Sequence, residues 1–149
     1  MDGLSTLDID EKLKIPSFLG AFPYDELPQK PDGDFSVIVN TEPSTEPGDH
    51  WLPIIFKKGT FYFLDSFGRS PRSLLFTPEF KTTVKEYMLG HRRRCNSKLI
   101  QYIFSNTCAY YSIYFIREMQ SKSMAKTMEI FTDNLKNNDL MVTDIVNNY

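Results

Sequence analysis

The stretch QYIFSNTCAYYSIYFI, Gln101 to Ile116, decides the fold of this chain. From Cys108 onward its residues are apolar or aromatic on nearly every helical face, and neither Gly nor Pro occurs before Gln120. A helix that is apolar all round is one that lies buried in the middle of a domain. Residues 105–107, Ser-Asn-Thr, are of the types that cap a helix start. We therefore predict a buried central helix that begins at Cys108.

Cys108 at this position has two interpretations. The free backbone N–H groups and the positive end of the dipole at a helix start stabilise a thiolate, which suits a nucleophile. A free cysteine is also among the most buried residue types and usually packs as a small hydrophobe. The rest of the chain must decide between these two roles.

Length and composition bound the class of protein. A chain of 149 residues can form one domain, residues 1–149, that closes its core without a metal or a disulfide. Cys95 and Cys108 are the only cysteines, so we expect free thiols and a reducing compartment. No apolar run reaches the ~18 residues that span a bilayer, and the polar N-terminus does not resemble a signal peptide. We expect a monomer that is intracellular or virion-borne, is not secreted by a signal peptide and has no membrane contact.

A β-hairpin is predicted around the turn Lys58-Gly59. With that turn, Leu52 faces Asp65 across the antiparallel pair, and His50 lies two residues from Leu52 on the same face. Diagonal neighbours in such a pair are ~7–8 Å apart, and their side chains can lean together. The hairpin therefore brings an imidazole and a carboxylate to one end of the sheet. Pro53 cannot donate to a ladder and favours an edge strand or a bulge, and a bulge would reverse this assignment of faces.

In chain order, His50, Asp65, Gln101 and Cys108 form the set of groups that a cysteine hydrolase needs. The imidazole takes the thiol proton, and the carboxylate orients the imidazole and stabilises its cation. A side-chain amide and the backbone N–H of the nucleophile can hold the developing oxyanion. Taken by residue type alone, this set leaves a catalytic and a structural interpretation open.

The ordered set resembles the adenovirus-type cysteine endopeptidases, which share a clan with the SUMO-specific proteases. The resemblance covers roughly residues 15–120, and the short chain is most similar to the proteases of Polinton/Maverick elements and related double-stranded DNA viruses. The residues that carry the resemblance are His50-Trp51, Asp65-Ser66-Phe67-Gly68, Gln101 seven residues before Cys108, Phe18-Leu19-Gly20 and Ile38-Val39-Asn40-Thr41.

The resemblance implies an α+β, papain-like domain with a small, mostly antiparallel sheet packed on the central helix. It implies His50 as general base, Asp65 as the acid that orients it and Cys108 as nucleophile. Gln101 and the backbone N–H of Cys108 would form the oxyanion hole. Trp51 would line the substrate cleft, although a role as a core aromatic is equally open. The expected substrates are viral or transposon capsid precursors, cut after small residues in Gly-Gly or Gly-X sites.

Two residues depart from the family pattern. Ala109 stands where the family usually has Gly, and Pro53 interrupts a strand that normally lacks proline. A helix first turn does not need positive φ, so Ala109 should be tolerated. Neither change indicates an inactive enzyme.

Activators and partners are less determined by the sequence. By resemblance alone, a short peptide or DNA could activate the protein, with Arg92, Arg93 and Arg94 meeting the phosphates. Three arginines on a chain of net charge −2 are more often a solvated patch. His91 and Cys95 have no third ligand nearby, so we expect no metal site, and the sequence requires no cofactor.

Two rival functions remain open. The same chemistry would serve an isopeptidase that removes a ubiquitin-like modifier of the SUMO type. The same fold without catalysis would serve a module that binds a glycine-rich tail.

The remaining elements follow from hydrophobic periodicity and capping residues. A weak helix is expected at 5–13, an apolar segment at 18–24 and a strand at 35–39. The hairpin strands should span 51–56 and 61–64, with a helix from Thr77-Pro78 to Gly90. His91 to Arg94 should be a solvated helix end, and Leu99 to Phe104 a further strand. A helix carrying Met124, Met128, Phe131 and Leu135 should precede a short last helix with Ile145 and Val146.

Overall fold

The computed structural model describes residues 3–149. One five-stranded sheet, with its strands in chain order, is packed between helices. The strands are β1 (Phe18–Pro23), β2 (Phe35–Asn40), β3 (Trp51–Lys57), β4 (Thr60–Phe63) and β5 (Arg92–Cys95). The helices are α1 (Thr6–Lys12), α2 (Pro78–Tyr87), α3 (Cys108–Glu118), α4 (Met124–Met128) and α5 (Leu135–Asn147). A short 3-10 turn, Tyr24–Glu26, follows β1.

The predicted central helix is confirmed as α3. It begins at Cys108, and its first nine residues are all buried. One face of the sheet packs against α3 through residues such as Ile38 and Ile55. The other face, which includes Val37 and Ile54, packs with α2. This alternation of side chains along each strand gives the sheet two apolar faces, with a helix on each.

The β3–β4 hairpin has the predicted register. Lys57 pairs with Thr60, and the pairing continues without interruption to Ile54 opposite Phe63. Lys58 and Gly59 both have positive φ, 50° and 81°, as the tight turn requires.

Pro53 does not lie at an edge or a bulge, and that prediction was wrong. It is in the central strand β3, opposite Ile38 of β2, in a regular register. The Pro53 carbonyl accepts from Leu64 N at 3.3 Å, so the missing N–H also faces the β4 side. Since β4 ends at Phe63, the proline costs the β3–β4 pairing only one hydrogen bond, at the end of the ladder.

The two edge strands are parallel to their neighbours, so the sheet is mixed rather than mostly antiparallel. β1 pairs with β2 and β5 pairs with β4 in parallel, while the three inner strands are antiparallel. The apolar segment at 18–24 is thus mainly a strand. The basic run is also a strand rather than a helix end, because α2 ends before Gly90 and the chain then turns to follow β4.

Two further predictions were wrong in the C-terminal half. Residues 99–104 form a loop, because the backbone groups of Ile100 and Gln101 bond to Ser66 and to the Asn138 side chain rather than to a strand. The helix expected across 124–135 ends at Met128, and Asn134 caps a separate helix, α5. No helix within residues 3–149 combines the length and the apolar character needed to cross a membrane.

Candidate active site

His50, Asp65 and Cys108 converge at one end of the sheet. His50 directly precedes β3, Asp65 lies two residues beyond β4, and Cys108 is the first residue of α3, which packs against β3. The hairpin register and the packing of α3 together set their positions. The predicted approach of the imidazole and the carboxylate is confirmed, since His50 Nε2 lies 2.7 Å from Asp65 Oδ1.

Asp65 is completely buried and fully bonded. Its Oδ1 also accepts from Phe67 N at 3.2 Å, and its Oδ2 accepts from Arg69 Nε at 2.6 Å. The Phe67 ring stacks on the His50 ring, with centroids 4.7 Å apart. A carboxylate held by two cationic partners and backbone N–H groups can remain ionised in the interior.

Arg69 is a site residue that the sequence analysis missed. Its guanidinium lies over the ring of Phe76, 4.4 Å from the centroid, while Nε binds Asp65. The spacing of four residues between an acid and an arginine was the available signal, but it predicts a contact only in a helix. Here a loop turn makes it, closed by the Gly68 N to Asp65 O bond.

The pKa values of His50 and Asp65 are shifted in opposite directions. Burial alone lowers the pKa of His50, but hydrogen bonds to Asp65 and Cys108 and their charges outweigh it and raise the pKa to about 9. Burial alone raises the pKa of Asp65, but the hydrogen bonds and charges of His50 and Arg69 hold it below its ordinary value. The site therefore favours an imidazolium beside an aspartate at neutral pH.

Cys108 lies beside this imidazole. Its thiol is one of the groups that raise the pKa of His50, whose Nε2 is engaged by Asp65. Trp51 N donates to Cys108 Sγ at 3.4 Å. Cys108 is 6% exposed and is the first residue of α3. A thiol, a base and an orienting acid thus lie side by side, which is the arrangement of a nucleophile that can be activated.

Trp51 is partly buried and contacts both the core and a surface cavity. It packs on the core cluster that contains α3. It also lines an open cavity of about 300 Å³. Since its backbone N–H also donates to Cys108 Sγ, Trp51 connects this cavity with the nucleophile.

Gln101 is buried in the loop before Cys108, and its amide is held within that region. Its Oε1 accepts from Ser66 Oγ, and its Nε2 donates to the carbonyl and the hydroxyl of Ser105, each at 3.1 Å. The Ser105 carbonyl can only accept, so its bond fixes which end of the amide is the donor. In this arrangement the Nε2 hydrogen bonds are made to Ser105, so an oxyanion would have to draw this donor away from it.

Asn96 joins the Asp65 segment to the Gln101 loop and was also missed. It accepts from Asp65 N at 2.9 Å and donates to Asp65 O at 2.7 Å. Ser66 O accepts from both Ile100 N and Gln101 N. These side-chain bonds and isolated backbone bonds stand where a strand pairing was predicted, and periodicity cannot reveal them.

Comparison with known proteins gives a likeness of fold. No family model matches the chain, and no curated protein matches it. Crystal structures of the ASFV pS273R protease, native and Se-Met, match with TM-scores of 0.58 and 0.57 at 17% identity. The match covers 94% of this chain, which spans 66% of the length of that protease. At this identity the likeness establishes the α+β, papain-like fold alone, as the sequence predicted.

Proposed function

We propose that the protein is a cysteine endopeptidase with His50, Asp65 and Cys108 as its catalytic groups. One observation carries the proposal: the buried His50 ring is hydrogen-bonded to a buried carboxylate through Nε2, and the neighbouring Trp51 N donates to Cys108 Sγ at 3.4 Å. A structural cysteine needs no imidazole–carboxylate pair beside it. The likeness of fold to a viral protease supports the same reaction class.

In the proposed reaction, the Cys108 proton resides on His50, and the thiolate attacks the scissile carbonyl carbon. The C–S bond forms, and the carbonyl electron pair moves to oxygen. His50 then gives its proton to the leaving nitrogen as the C–N bond breaks, leaving a thioester. Water, deprotonated by His50, hydrolyses the thioester and restores the thiol. Asp65 remains ionised throughout and keeps the ring oriented.

We propose that the oxyanion is held by the backbone N–H of Cys108 and by Gln101 Nε2. The first is one of the free N–H groups at the start of α3. The second must turn from Ser105, a neutral acceptor, toward an oxygen that gains negative charge. An ionised acceptor forms the stronger bond, so the exchange is favoured only as the transition state develops.

The substrates we propose are viral or transposon capsid precursors, cut after Gly-Gly or Gly-X. This rests on the resemblance of the ordered residue set and on the likeness of fold to the ASFV pS273R protease. We also propose that the protein acts as a monomer in an infected cell or a virion. Three successive exposed arginines on the edge strand β5 support a proposed contact with DNA.

A cleavage assay tests the proposal against its rivals. A precursor peptide with a Gly-Gly site should be hydrolysed, with and without duplex DNA, and Cys108→Ala should be inactive. Preferential turnover of a SUMO-type probe over this peptide would favour the isopeptidase. Binding of the Gly-Gly peptide without turnover by the wild type would favour the binding module and contradict the proposed reaction.

A further inference from the structure

The cavity beside Trp51 is built on a fixed loop. Residues 41–49, which lead into His50, are held by Asp25, whose carboxylate accepts from Ser44 N at 2.8 Å and Ser44 Oγ at 2.6 Å. Asn40 Oδ1 accepts from Glu42 N at 2.9 Å and from Asp49 N at 3.1 Å. The cavity therefore has defined walls rather than a mobile rim.

Asn40 brings an unused donor to this cavity. The residue is a lining residue and only 2% exposed, yet its Nδ2 has no hydrogen-bond partner among residues 3–149. The Nδ2 faces Gly48, another lining residue, where an added Cβ would be only 2.7 Å away. A buried amide donor without a partner is costly unless an occupant supplies an acceptor.

The charge around the cavity has a single sign. Glu26, Glu42 and Glu46 line it, with no Lys or Arg among the lining residues. Within the part of the chain that the structure describes, no ion pair involves these three carboxylates. An occupant with a positive side chain would supply their counter-charge.

We propose that this cavity is a substrate subsite that takes a lysine or arginine side chain close to the scissile bond. The three glutamates face the cationic group, and Asn40 Nδ2 donates to a main-chain carbonyl of the same substrate. A peptide fits better than a divalent cation, because an amide N–H donor repels a metal but complements a carbonyl. The inference rests on the proposed endopeptidase function and narrows its substrate class to sites with a nearby basic residue.

The test uses internally quenched peptides that share one Gly-Gly site. Lys, norleucine or Glu is placed in turn at each position flanking the Gly-Gly pair, and kcat/KM is measured in reducing buffer at low salt. The wild type should cleave the Lys peptide about ten-fold faster than the Glu peptide at one position. In the double variant Glu42→Gln/Glu46→Gln this ratio should fall to about two-fold or less. The control Asp10→Asn/Glu11→Gln, on α1, removes the same charge elsewhere and should keep the wild-type ratio.

Equal cleavage of the Lys and Glu peptides at every position would overturn this inference while leaving the endopeptidase intact. A preference for Lys that persists in the double variant would likewise overturn it. Failure of the wild type to cleave any peptide of the set would instead overturn the proposed function, and this inference with it.

Discussion

At the scale of single residues, His50 connects the two charged groups of the site. Its Nε2 is hydrogen-bonded to Asp65, and the thiol of Cys108 lies beside the ring. Because both partners stabilise the protonated ring, the pKa of His50 lies well above the ordinary value of a histidine. The pH behaviour of the protein follows from this.

Activity and stability should share an alkaline limit set by His50. Its pKa is raised from 6.5 to about 9, so its contribution to stability is fully present below pH 6.5 and is lost as pH rises through about 9. The free energy of unfolding and kcat/KM should both decline over that window. Denaturant titrations and rate measurements between pH 6 and 10 check this. A decline of both the free energy of unfolding and kcat/KM near pH 6.5 would contradict this prediction.

Asp65→Asn should reduce activity without abolishing it. The asparagine can still contact the ring, but it lacks the charge that stabilises the imidazolium, so kcat/KM should fall and its alkaline limit should move to lower pH. A pH–rate profile measures both effects. Asp49→Asn, on the exposed loop nearby, is the control and should keep the wild-type profile. An unchanged limit in Asp65→Asn would remove Asp65 from the mechanism.

Gln101→Ala should lower kcat with little change in KM, because the proposed bond strengthens only in the transition state. Loss of one oxyanion donor costs ~2.7–4 kcal/mol, or on the order of a hundred- to a thousand-fold in rate. Gln101→Glu should be at least as damaging, since a carboxylate repels the oxyanion. Gln120→Ala, just beyond α3, is a matched control and should behave like the wild type. Unchanged kcat in Gln101→Ala would mean that its amide only holds Ser66 and Ser105 in place.

At the scale of elements, the site depends on how the Asp65 turn is fastened to the loop before α3. Gly68 is the point of closest approach, since a Cβ there would lie 2.8 Å from Leu99 N, at a φ of 77°. Only glycine allows both that φ and that contact. The turn and the loop are therefore packed backbone to backbone at Gly68.

A comparison of Gly68→Ala with Gly33→Ala should distinguish the effect of a steric clash from the effect of backbone strain. Both positions have positive φ, but a Cβ at Gly33 would meet nothing within 4 Å. Gly33→Ala should cost about 1–2 kcal/mol of unfolding free energy and keep activity. Gly68→Ala should cost more and also lower kcat, because the turn that carries Asp65 must shift. Chemical denaturation and kinetics measure both, and equal effects in the two variants would contradict this account.

The elements also mark where sequence reasoning succeeds and fails. The hairpin and α3 were predicted because their signals are local: a Lys-Gly turn, and an apolar run after capping residues. The apolar residues at 99–104 match the strand pattern and therefore predict a strand where the structure has a loop. Its backbone bonds go instead to Ser66 and Asn138, which are distant in sequence. Long-range hydrogen bonds of this kind determine whether a segment forms a strand or a loop, and they produce no periodic pattern in the sequence.

At the scale of the whole molecule, charge is distributed unevenly between cavities. The net charge is only −2, yet the cavity beside Trp51 is lined by carboxylates. Two other cavities share Arg72 and Arg93 in their walls, near the edge strand β5. The total charge of a chain conceals such a division, because composition does not record position.

The sequence predicts the proposed catalytic residues of the candidate site but not the residues that hold them in place. Residue type and hairpin register brought His50 and Asp65 together correctly, and the helix start placed Cys108. Arg69 and Asn96 were missed, because the turns that bring them to Asp65 are set by tertiary contacts. The groups proposed to react were thus readable from order and spacing, whereas the groups that hold them were not.

The central claim is that His50 activates Cys108 as a nucleophile. The most direct test is to treat the reduced protein at pH 7 with a peptide vinyl sulfone ending in Gly-Gly and to map the adduct by mass spectrometry. We predict a single adduct, on Cys108, formed at the wild-type rate in Cys95→Ala and lost in His50→Ala. Labelling of Cys95 at the same rate as Cys108, or undiminished labelling of Cys108 in His50→Ala, would contradict the claim.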